Sequence, residues 1–157
     1  MTTTQEVQDF LGLNRIAMVG VSREWRDFSR TLFREMSHRG YDMVAVNPSA
    51  AEIEGEPCAR SLHEVQPPVE GVLIMTPARA TLGVVQECVD LGIRHVWMYR
   101  AGGMGAMNPE AVALCKQRNI HVVEGHCPYM FFPHPPFLHR AHGFLLKLTR
   151  RYPAAAA

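Results

Sequence analysis

The chain has 157 residues, 47% of them hydrophobic and 20% charged, with a formal net charge of +1. That length supports one domain with a full apolar core. A charge so near zero excludes a bulk field that would draw the chain to nucleic acid or an anionic membrane, and no apolar run approaches the roughly 20 residues that cross a bilayer.

In chain order, Thr4 is expected to cap a short helix that puts Val7, Phe10 and Leu11 on one face. Residues 15–20 follow as a first buried strand. Asp27 suits the cap of the next helix, where Phe28, Leu32 and Met36 recur at four-residue spacing, and Gly40 closes it. Met43–Val46 is a second strand, stopped by Asn47-Pro48. Residues 49–70 read as irregular, with one turn of helix at Leu62–Val65.

A third strand spans Val72–Met75. Thr76-Pro77 then predicts a cap followed by proline at the first helical position, and the helix turns Val84, Val85, Cys88 and Leu91 inward before Gly92. His95–Met98 is a fourth strand. Asn108-Pro109 repeats the cap-then-proline device, and that helix carries Val112, Leu114 and Cys115 to an end near Asn119. Ile120–Val123 is a fifth strand. These strands are continuous apolar runs, as a sheet covered on both faces requires. The expected fold is α/β: a Rossmann-like doubly wound parallel sheet of about five strands, in the order 3-2-1-4-5, with helices on both faces.

Ligands in such a sheet lie beyond the carboxyl ends of the strands. Here those ends are Gly20-Val21-Ser22, Asn47-Pro48, Thr76-Pro77, Tyr99–Gly105 and Glu124–Tyr129. The first is followed by Arg23, Arg26 and Arg30, and a strand breaking into a helix through Gly and Ser offers amides to phosphate. Gly-x-Ser after strand one, Gly-Tyr before strand two, Asn-Pro after it, Thr-Pro after strand three and Cys-Pro after strand five together resemble the coenzyme A-binding domain family. That family is related to the nucleotide-binding N-terminal domain of the succinyl-coenzyme A synthetase alpha subunit. The resemblance covers about residues 5–130.

The resemblance implies roles for particular residues. Gly20, Val21 and Ser22 would hold the diphosphate, supported by Arg26, Ser29 and Arg30 from the helix. Asn47 and Pro48 would border the adenosine. Thr76, Pro77 and Arg79 would line the pocket, and Cys127 and Pro128 would lie near the pantetheine arm. Several negative charges on coenzyme A suit arginines and helix-end amides. The function so implied is a small non-catalytic protein that binds coenzyme A or an acyl derivative.

Plainer readings stand beside these. Ser22 suits a turn, Asn47-Pro48 a strand stop, Thr76 a helix cap, and Gly102, Gly103 and Gly105 a simple connection. Two other functions also stand. A nicotinamide-dependent oxidoreductase would want Gly-x-Gly-x-x-Gly and an acid after strand two, where this chain has Asn47. A regulatory subunit with a vestigial pocket would use the chain after Tyr129.

Four cysteines, Cys58, Cys88, Cys115 and Cys127, form no Cys-x-x-Cys pair, and Met1–Glu6 lacks the marks of a signal peptide, so a cytoplasmic location is expected. His121, His126, His134, His139 and His142 with Cys127 match no zinc-binding spacing, and no metal site is expected. Residues 1–130 form the expected domain and 131–157 a C-terminal extension. Its helix, Phe137–Arg151, has an apolar stripe that would pack on the sheet or on a second subunit, which would make a homodimer.

Overall fold

Thr3, rather than Thr4, opens the first helix, α1 (Thr4–Leu11). Its hydroxyl accepts from the Glu6 N–H at 3.1 Å, and the Glu6 carboxylate accepts from the Thr3 N–H at 2.7 Å. The register is set one residue earlier because Glu6 lies three residues after Thr3, as a capping box requires. The computed structural model to which this helix belongs describes residues 2–101 and 104–133. The helix expected over 137–151 lies outside the described residues.

Strand β1 (Arg15–Val19) leads to α2 (Phe28–His38), capped by Asp27 as its sequence predicts. Gly40, at φ +94°, ends α2: its N–H donates to Ser37 O at 3.0 Å and the Tyr41 N–H donates to Met36 O at 3.2 Å. Strand β2 (Asp42–Val46) follows. The segment expected to be irregular holds a small hairpin, β3 (Glu52–Ile53) and β4 (Glu56–Pro57), and a 3-10 turn at Leu62–Glu64.

Strand β5 (Gly71–Ile74) runs into α3 (Ala78–Asp90). Pro77 itself is the N-cap, so Thr76-Pro77 is not the cap-then-proline device: Thr76 stays with the strand end, packed against Gly20. Leu91, expected inward, is the C-cap residue and is 42% exposed. Strand β6 (His95–Ala101) is followed by β7 (Met104–Gly105) and by α4 (Pro109–Gln117). There the device does operate, with the Asn108 side chain accepting from the Ala111 N–H at 2.9 Å. Strand β8 (His121–His126) and a 3-10 turn at Pro128–Met130 complete the described chain.

Strands β2, β1, β5, β6 and β8 lie side by side and parallel, and β7 pairs antiparallel with the end of β6. The fold is the expected doubly wound α/β sheet. Its strand order differs from the expected 3-2-1-4-5. The third long strand, β5, joins β1 on the side away from β2, which gives 2-1-3-4-5.

Crossover handedness explains the difference. One face buries Ile16, Met18, Leu73 and Trp97 against Phe10 of α1 and Leu32 and Met36 of α2. The other buries Ala17, Val72, Val96 and Val122 against Val85 and Cys88 of α3 and Cys115 of α4, together with Leu62 and Val65. The link from β2 to β5 therefore crosses the face opposite α2. A right-handed crossover on that face moves back past β1 instead of outward beyond β2. The order reverses between β1 and β5, and their carboxyl ends open the crevice in which such folds take ligands.

Candidate functional site at the carboxyl edge of the sheet

Gly20 carries β1 into this crevice. Its φ is +92°, and a Cβ there would stand 2.8 Å from Thr76 N and 2.9 Å from Thr76 Cγ2. A side chain at this point would drive the ends of β1 and β5 apart. Opposite it, Thr76 Oγ1 is buried without a hydrogen-bond partner. Buried hydroxyls are nearly always paired, so an orphan at a strand end marks a place where a ligand can supply the partner.

The corner after Gly20 is held by the protein's own groups. The Ser22 N–H donates to Ser29 Oγ at 2.9 Å, and Ser29 donates from both its hydroxyl (2.5 Å) and its N–H (2.8 Å) to Asp27 Oδ1. Asp27 thus places a carboxylate at the positive end of α2. Ser22 Oγ accepts from the Glu24 N–H at 3.1 Å and keeps its own O–H to donate. Val21 is buried, and its carbonyl accepts from Asn47 Nδ2 at 2.8 Å; Asn47 Oδ1 accepts from the Ser49 N–H. Asn47 therefore clamps the end of β2 to the corner, while Pro48 is exposed.

The arginines divide into two groups. Arg30 Nε meets Glu54 Oε1 at 2.7 Å, and its Nη1 donates to the carbonyls of Ser22 and Arg23 at 3.3 and 3.2 Å. Arg34 shares the Glu54 carboxylate at 3.0 Å. These two guanidinium groups brace the corner. Arg23, Arg26, Arg79 and Arg100 are exposed, and none has a carboxylate partner among the described residues.

Beyond Thr76 a cleft of about 520 Å³ is lined by Met75, Thr76, Pro77, Tyr99, Arg100 and Met107, among others. Tyr99 stacks on Phe28 at 5.4 Å, and Phe28 meets Tyr129 at 5.8 Å. Burial pushes the Tyr99 phenol up to about 12, with the Cys127 thiol and Asp27 adding to it. Burial likewise pushes Cys127 up to about 11, against a smaller opposing effect of the Tyr129 amide. Cys127 is a buried core side chain and stays a thiol at neutral pH. Pro128, also buried, begins the turn that packs Tyr129 inward.

Every sequence-predicted site residue lies on this one edge. Gly20, Val21, Ser22, Arg26, Ser29 and Arg30 sit at the β1–α2 corner, Asn47 and Pro48 at the end of β2, Thr76, Pro77 and Arg79 after β5, and Cys127 and Pro128 after β8. Sequence reasoning missed Glu54, Phe28 and Met107 as parts of the site. Glu54 has no sequence signal, since its partners lie 20 and 24 residues away.

Residues 14–133 match the family model described as CoA binding domain. The chain belongs to the CoA-binding domain family. An uncharacterised relative, YneT of Bacillus subtilis, is 27% identical over 113 residues, which are 72% of this chain and 81% of that protein. A hypothetical protein from Pyrococcus horikoshii superposes with a TM-score of 0.74 at 23% identity, covering 92% of both chains. An ADP-forming acetate–CoA ligase of Archaeoglobus fulgidus is 24% identical over 118 residues, 71% of this chain, but the match spans 17% of the ligase. The CoA-binding domain described here thus corresponds to one portion of that larger enzyme. Among its described residues no helix is long and apolar enough to cross a membrane, and no group of three or more side chains could hold a metal ion.

Proposed function

We propose that this chain is a small, non-catalytic binding protein for coenzyme A or an acyl derivative, taken along the carboxyl edge of the sheet. The observation that carries the reading is the family match over residues 14–133, and within that span the crevice with the buried, unpaired Thr76 hydroxyl supports it. The diphosphate would lie at Gly20, the Val21 backbone and the Ser22 hydroxyl, within reach of Thr76. Arg26 and Arg79 would supply positive charge, because Arg30 and Ser29 are committed to bracing the corner. Asn47 and Pro48 would border the adenosine. The pantetheine arm would enter the cleft beside Tyr99, with Pro77 as one wall and Cys127 and Pro128 behind. A buried thiol held up to about 11 fits a wall better than a nucleophile.

Titration calorimetry of the purified chain with coenzyme A and with acetyl-coenzyme A tests this. Saturable heat with one ligand per chain is expected, and no heat at high micromolar ligand would refute it. Thr76→Val sharpens the test, because its two effects have opposite signs. Removing an orphaned hydroxyl stabilises the free protein by about 1 kcal/mol. Losing a donor to an anionic ligand weakens binding about tenfold.

A further inference from the structure

Trp25 is 61% exposed, whereas the other tryptophan, Trp97, is wholly buried. An indole in water contributes nothing to a core, yet the loop that carries it is firmly held. Arg34 donates to Trp25 O from Nη1 and Nη2 at 3.3 and 3.2 Å, and Arg30 donates to the carbonyls of Ser22 and Arg23. Glu54 fixes both of those arginines. One carboxylate shared between them offsets half of their charge.

Two further cations belong to this loop, and the braced Arg34 itself lies 6.0 Å from the indole centroid. Arg23 and Arg26 are exposed without a carboxylate partner among the described residues, and the Arg26 guanidinium lies 5.3 Å from the indole centroid. The loop also adjoins the end of β2, through the Asn47 bond to Val21 O. An exposed aromatic face with the unpaired Arg26 against it, and a second unpaired arginine two residues before it in the same loop, complements a planar base with a phosphate close to it.

We propose that Trp25 is the stacking platform for the adenine of a 3′-phosphorylated nucleotide, and that Arg23 and Arg26 take its ribose phosphate. This rests on the coenzyme A reading and adds a discrimination to it. The site prefers ligands with the 3′-phosphate over dephospho-coenzyme A. The phosphate draws Arg26 off the ring and leaves its place to the base, while Arg34 stays held by Glu54 and the Trp25 carbonyl. The stiff loop limits the ordering cost of binding.

The test is calorimetry together with indole fluorescence, using coenzyme A, dephospho-coenzyme A, adenosine 3′,5′-bisphosphate and pantetheine as probes. Coenzyme A and the bisphosphate should change the emission of Trp25, and pantetheine should not. Trp25→Ala should weaken coenzyme A about tenfold or more, and Trp25→Phe should restore most of that loss. Arg26→Gln should narrow the preference for coenzyme A over dephospho-coenzyme A, which is expected to be about tenfold in the wild type. If Trp25→Ala binds coenzyme A as tightly as the wild type, or dephospho-coenzyme A binds equally well, the platform is refuted while the parent reading survives. If coenzyme A and the bisphosphate both fail to bind the wild type, both readings fall.

Discussion

Gly20 and Gly40 offer a matched experiment on what the crevice demands. Their φ angles are +92° and +94°, so an alanine at either position incurs the same backbone strain, about 1–2 kcal/mol. Reduced freedom in the unfolded chain offsets part of that cost at both. Their surroundings differ. A Cβ at Gly40 meets nothing within 4 Å, whereas one at Gly20 meets Thr76 N at 2.8 Å and Thr76 Cγ2 at 2.9 Å. One of those atoms is backbone, so relief requires a strand end to move, and such overpacking costs about 1–3 kcal/mol more. Gly40→Ala should therefore destabilise by about 1 kcal/mol and Gly20→Ala by about 2–4 kcal/mol, a large part of the roughly 5–15 kcal/mol of a whole domain. Urea unfolding followed by circular dichroism measures both, and an unchanged m-value confirms that the same transition is compared. Equal losses in the two variants would refute the claim that β1 and β5 touch too closely for a side chain.

Other outcomes follow from single groups. Glu54→Ala should cost about 1–2 kcal/mol in the same assay, because it strands Arg30, whose side chain is only 11% exposed; an unchanged midpoint would show the brace to be idle. Burial holds the imidazoles of His95 and His126 below the ordinary 6.5, and the neighbouring His121 adds to the effect on His95. The unfolded chain then binds protons first, so their contribution is complete above 6.5 and lost as pH falls through the depressed values. The melting temperature should drop between about pH 7 and about pH 5, and replacing both with glutamine should flatten that drop. Burial raises all four cysteines, Cys127 to about 11 and Cys115 to about 12, but only Cys58 is part-exposed. A thiol reagent at about pH 8 should label Cys58 first in the native protein and all four after unfolding; rapid native labelling of Cys127 would contradict its burial.

The long strands were readable because each is a short apolar run closed by a turn residue, and the helix at Phe28 because Asp27 precedes a clean four-residue repeat. The position of β5 was not readable. Val72 and Leu73 are as apolar beside β2 as beside β1, and only the face chosen by Leu62 and Val65 decides between them. The Thr76-Pro77 pair misled for a related reason: its pattern matches Asn108-Pro109, but the approach of Gly20 keeps Thr76 with the strand. At the site, local patterns located the residues and could not assign their duties. Arg26 and Arg30 look alike in the chain, and a distant carboxylate makes one a brace and leaves the other free. Tyr99 and Phe28 form one stack although 71 positions separate them in the numbering.

Surface turns usually tolerate added or deleted residues. The β3–β4 hairpin should not, because the carboxylate at its tip sets where two guanidinium groups stand, and they in turn fix the peptide that presents an indole to solvent. Length variation there would retune what the neighbouring loop can grip without altering a residue of that loop.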